Sequence, residues 1–197
     1  MRTILIVAWL FVGLTGVIYH LGPGQQQLEL DHINSSLRQA RHAVNDQQWV
    51  EAVRLFDQTI SDLPTEKVQQ ARQLQLEKAK AQMMAKQLPD ARKSLESLLA
   101  DARNDVTSDP RFVAEVQSTL ANSQYYMTWL MRLEGLPKSE WMPEIEAARQ
   151  HYAQLASDAE EMGDIELSNR SKEDLESSIR LARMDLSELQ GLPLPSQ

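Results

Sequence analysis

The chain has 197 residues, with Lys+Arg 20 against Asp+Glu 28 and a formal net charge of −8. That acidity argues against a nucleic-acid partner and against a polybasic grip on anionic lipid. Cys is absent, which excludes disulfides, thiol catalysis and Cys-ligated zinc.

From the N-terminus, residues 4–21 read ILIVAWLFVGLTGVIYHL, a stretch without a formal charge that is closed by Gly22-Pro23-Gly24. A helix over this stretch is about 27 Å long, close to the thickness of a bilayer's hydrocarbon core. Bulky Val17, Ile18, Tyr19, His20 and Leu21 do not suit the small-residue exit of a cleaved signal. Residues 1–24 are therefore expected to be an uncleaved signal-anchor, with cleavage at the Gly22-Pro23-Gly24 break as the alternative. Arg2 precedes the stretch, and Glu29 and Asp31 follow it. The positive-inside rule then predicts a single-pass membrane protein with a cytoplasmic N-terminus and a periplasmic, extracytoplasmic C-terminal domain.

Beyond position 24, Gly is scarce, Val, Ile and Thr are thin, and Ala, Leu, Gln, Glu, Arg and Met are plentiful. That balance favours an all-α fold, and no stretch shows strand alternation. Helices are expected near 28–45, 48–62, 65–87, 89–104, 110–134, 140–162 and 164–190. Pro64-Thr65-Glu66, Leu88-Pro89-Asp90 and Ser108-Asp109-Pro110 place Pro and an acid at helix starts, where a missing N–H costs nothing and the dipole favours negative charge. Gly135-Leu136-Pro137 ends one helix, and Gly163-Asp164 breaks the chain and offers a cap to the next. The expected organisation is an anchor over 1–24, helical hairpins over 25–163, a long C-terminal capping or contact helix over 164–190, and a flexible tail over 191–197.

Consecutive helices with short turns invite a search for repeats. Ala40, Trp49, Ala52, Phe56 and Pro64 have the spacing of one helical hairpin in which a small residue lets the second helix close on the first. Ala79, Ala91, Leu95 and Leu98 form a second copy, and Ala148, Tyr152 and Leu155 a third. This pattern resembles the tetratricopeptide repeat, over roughly residues 33–160. Gln47 stands where that family has Gly, and the copies are spaced more widely than the family's. The resemblance implies antiparallel helical hairpins, with a plain helical bundle as the alternative.

No motif carries chemistry. His20, His32, His42 and His151 have no metal-site spacing, and phosphate-cradling and nucleophile-elbow motifs are absent. The paired acids read as solvated helix faces. No enzymatic activity, cofactor or metal is expected. Two features point instead to a protein or peptide partner. Tyr125, Tyr126 and Trp129 cover more than one face of the helix over 110–134, so one side meets the core; the other side either lines a groove or an interface or, as the alternative, fills the core of a wider third hairpin. The second feature follows from the repeat resemblance, which implies a concave groove lined by Asn34, Leu37, Arg41 and Val44 in the first copy and Gln73, Leu76, Lys80 and Met83 in the second. The expected function is that of a membrane-anchored, non-enzymatic adaptor or scaffold for a protein partner; the alternative is a permanent structural subunit of a larger membrane complex.

Overall fold

The computed structural model describes residues 23–190, with side chains from 31 to 189. Among the described residues there are eight α-helices and no strand: α1 Pro23–Asn45, α2 Trp49–Asp62, α3 Val68–Met84, α4 Leu88–Asn104, α5 Pro110–Leu133, α6 Lys138–Met162, α7 Ile165–Arg183 and α8 Leu186–Gln190. The chain divides into two compact units, one up to Lys67 and one from Val68 onward.

The expectation of a membrane-spanning fold requires correction. Among the described residues no helix is long and apolar enough to cross a membrane. The reason is compositional: α1 carries Glu29, Asp31, Arg38 and Arg41, and α5 and α6 are likewise interrupted by charge. Residues 4–21, on which the span and the single-pass periplasmic localisation were placed, lie outside the described residues, as does the tail 191–197. The fold class that stands is all-α, built of helical hairpins.

The first unit is one such hairpin. Ala40 and Ala52 are fully buried, as the small-residue pattern requires, and Phe56 and Ile33 are buried with them. Thr59 is buried without penalty because its hydroxyl donates to the Leu55 carbonyl at 2.7 Å.

A single turn design recurs along the chain. The amide of Gln47 donates to the Val44 carbonyl and that of Gln48 to Ala43, with Gln47 in the left-handed region at φ 59°. The same bonds run from Lys86 to Met83 and from Gln87 to Gln82, with Lys86 at φ 63°. They run again from Gly135 to Arg132 and from Leu136 to Met131, with Gly135 at φ 75°. Each is a helix C-terminus closed by a left-handed residue that satisfies carbonyls the helix leaves open. Of these three, only the last uses the residue type best suited to that conformation, and the Gly163 turn after α6 does the same.

In the second unit α3 to α7 pack in succession, each against the next, and alternate helices α3, α5 and α7 also touch. Asp109 caps α5 by accepting from the Arg111 amide at 3.0 Å, with Pro110 in the first turn. Asp164 caps α7 through the Leu167 amide at 3.0 Å. Two apolar cores result. Leu76, Ala79, Leu95, Leu98, Leu99, Val116 and Leu120 form an aliphatic core among α3, α4 and α5. Ala121, Trp141, Ile145, Ala148, Tyr152, Leu155, Leu181 and Leu189 form an aromatic-rich core among α5, α6, α7 and α8. Polar side chains bind α4, α5 and α6 together. The Arg103 guanidinium donates to Gln117 Oε1 at 2.6 Å and Gln154 Oε1 at 3.0 Å, and Gln117 Nε2 donates to the His151 carbonyl at 3.0 Å.

Several boundaries differ from the sequence expectation. The helix expected from 28 already starts at Pro23, so Pro23 and Gly24 open a helix where a break was expected. The helix expected from 65 starts at Val68, because Pro64 to Lys67 form a separate turn in which the Lys67 amide donates to the Pro64 carbonyl at 2.9 Å. The helix expected over 164–190 is two helices. Met184 is extended at ψ 148°, and Asp185 and Glu188 make a reciprocal capping box that starts α8.

Candidate functional site

Between the two cores one stripe of α5 lines a surface trough. Here Ala114, Ser118, Thr119, Asn122 and Tyr126 form the floor, walled by Lys80, Met83 and Met84 of α3 on one side and by Leu167, Arg170 and Asp174 of α7 on the other. Its two adjoining hollows have volumes of about 700 and 430 Å³ and share Lys80, Ser118, Thr119, Asn122 and Arg170. From Ala114 to Tyr126 the helix rises about 18 Å. An extended peptide covers that length with about five or six residues.

The floor is polar in a controlled way. Tyr152 on α6 is buried, and its hydroxyl donates to Asn122 Oδ1 at 2.6 Å. Burial, with Asp174 nearby, pushes the Tyr152 phenol far above its ordinary range, so it stays protonated and remains a donor. With its oxygen occupied from behind, Asn122 has its NH2 group to offer the trough. Thr119 turns its hydroxyl back onto the Glu115 carbonyl at 2.8 Å, which leaves its methyl as the apolar part of the floor.

Charge is disposed unevenly. Lys80 pairs with Glu115 at 2.6 Å across one edge, and both side chains are about half exposed, so the pair contributes little to stability. Arg111 and Arg170 also line the trough, and neither forms an ion pair among the described residues. Burial raises the Asp174 carboxyl above its usual range, an effect that Arg170 opposes. Among the described residues no three His, Asp or Glu side chains gather closely enough to hold a metal ion.

The expected site residues are distributed as follows. Asn34 and Arg41 are exposed and Leu37 and Val44 half-buried on α1 of the first unit. Gln73 is exposed on α3 but does not line the trough. Leu76 corrects the groove assignment: it is fully buried in the aliphatic core and faces no groove. Lys80 and Met83 do line the trough. Of the three aromatics, Tyr126 lines it, while Tyr125 and Trp129 pack against the aromatic core. Tyr125 meets Tyr126 edge-on, with ring centroids 6.0 Å apart, and burial raises its phenol. The Trp129 indole nitrogen is buried without a hydrogen-bond partner.

Sequence reasoning missed Ser118, Asn122, Arg170 and Asp174. The signal for the first two was available: Ala114, Ser118, Asn122 and Tyr126 repeat at every fourth position, so a helix already assigned to 110–134 places them on one stripe. The contribution of α7 was hidden, because its helix was expected to cap the array or to make a contact, and neither expectation says which of its residues lie beside α5. Compared with known proteins, the chain matches no protein-family model and none of the curated proteins.

Proposed function

We propose that this chain is a non-enzymatic docking protein and that the trough along α5 receives an extended segment of a protein partner. The observation that carries this reading is the Tyr152–Asn122 hydrogen bond, because it fixes an amide donor at the centre of a peptide-length surface groove. A donor held in place by the core loses little freedom on binding, so its hydrogen bond is not offset by ordering. Flanking Arg170 and Lys80 supply charge, and Met83, Met84 and Tyr126 supply an adaptable apolar end. Under this reading the hairpins α1–α2, α3–α4 and α5–α6 are degenerate repeats of the tetratricopeptide kind, which the recurring left-handed turn supports.

Photo-crosslinking in the native cell tests the proposal. A photoreactive residue at Ser118 in the trough should yield discrete protein adducts, and one at Lys93 on the surface of α4 should not. Equal adduct patterns at both positions, or none at Ser118, would reject the trough as a docking site.

A further inference from the structure

At its α5 N-terminal end the trough opens into a third hollow of about 590 Å³, joined to it through Ala114, Met162 and Leu167. Two turns converge there, 105–109 before α5 and 163–164 before α7. Both are fixed. Asp105 accepts from the Thr107 amide at 2.9 Å, from the Thr107 hydroxyl at 2.6 Å and from Arg72 at 2.5 Å. Those bonds hold its carboxyl down at about 2. Gly163 is left-handed at φ 72° and closes α6 with the same bond pattern as the other turns.

These rigid turns display apolar side chains to water. Val106 is 99% exposed, Ile165 74% and Met162 50%. Val106 and Met162 line the hollow, whose apolar lining continues through Val113, Ala114, Leu155 and Leu167, with Ser108 and Gln117 as polar members. A bare Val at the tip of an immobilised turn gains nothing in the isolated chain. Clustered exposed apolar groups beside a hollow mark a contact surface. On the rim stand Asp158 and Glu161, neither of which forms an ion pair among the described residues. The one cation lining the hollow, Arg103, is turned onto Gln117 and Gln154.

We infer that this hollow binds an apolar side chain carried on a cationic segment of a protein partner, a Leu- or Phe-type anchor flanked by Lys or Arg. The assignment deepens the trough proposal and rests on it: the anchor seats between Val106 and Met162, its basic neighbours meet Asp158 and Glu161, and the chain continues along α5 toward Asn122. The apolar lining supplies affinity, and the two carboxylates supply selection for positive charge and a faster encounter.

Fluorescence anisotropy with the full chain tests the inference. The probes are a labelled short peptide of leucines flanked by lysines, its counterpart with glutamates for lysines, and its counterpart with serines for leucines. The Leu/Lys peptide should bind and weaken with added salt, and both counterparts should bind about 10-fold or more weakly. The pair Asp158→Asn with Glu161→Gln should lower affinity about 10-fold and flatten the salt dependence. The equal charge change Glu173→Gln with Glu176→Gln, on exposed positions of α7, should leave affinity unchanged. Equal binding by the glutamate peptide, or indifference to the Asp158/Glu161 pair, overturns the inference. Ser118 adducts that survive an excess of the Leu/Lys peptide would also overturn it while leaving the trough standing, whereas loss of both signals removes the trough as well.

Discussion

The two cores of the second unit are built differently, and the difference separates holding from presenting. The core among α3, α4 and α5 has only aliphatic side chains among its buried members, with Met83 and Phe112 packed at its edge, and it works by excluding water. The core among α5, α6, α7 and α8 contains Trp141 and Tyr152, aromatics with polar or π-faced handles. Each handle reaches a partner outside the core. Tyr152 orients Asn122 in the trough floor, and Trp141 lies 4.8 Å beneath the Arg132 guanidinium. Arg132 in turn donates to the Leu181 and Met184 carbonyls, closing the C-terminal end of α7. One core stabilises the fold; the other also sets the geometry of a surface.

The largest test of this contrast lies in the aliphatic core. Leu95 is fully buried there. Leu95→Ala should cost about 2–5 kcal/mol, the usual loss for a buried leucine that leaves a cavity, measured by urea unfolding. Below the unfolding transition, the NMR signals of Ser118 and Asn122 should keep their positions. The aromatic core should behave in the opposite sense. Tyr152→Phe should cost about 1 kcal/mol through one lost hydrogen bond, yet it should shift the Asn122 side-chain amide signals. An unmoved Asn122 would show that the tyrosine does not orient it. The smallest effects belong to the recurring turn. Lys86→Gly should stabilise by about 1 kcal/mol, because a left-handed backbone suits glycine. Gly135→Ala should destabilise by a similar amount, since an added Cβ meets nothing within 4 Å and only the backbone cost remains.

Much of the fold was legible because several helix starts carry a local signal. Asp109-Pro110 and Gly163-Asp164 mark real boundaries, and Ala40, Ala52, Ala79 and Ala91 are buried where helices close on one another. The break at Met184 was overlooked because helical periodicity continues through it, although the Asp185 and Glu188 spacing does announce a reciprocal cap. The candidate site was legible only in part. Lys80, Met83 and Tyr126 follow from a stripe on one helix, but Arg170 and Asp174 enter through the packing of α7 beside α5, a long-range pairing that no local pattern encodes. Leu76 was misplaced because helical spacing gives a face and does not say which neighbour covers it. The 39 residues between Ala52 and Ala91 match the 39 between Gln47 and Lys86, so the wide repeat is a property of the backbone as well as of the side chains.

The five-residue helix α8 has a practical bearing on how the chain can be shortened. Its reciprocal cap turns Leu189 back to full burial beside Leu181 and Trp141. A protein trimmed at Arg183, the natural cut if α7 were the last folded piece, would lose that plug and leave an open aromatic pocket, at a cost of about 2 kcal/mol. Fusions and affinity handles therefore belong beyond Gln190, where they leave the stopper seated.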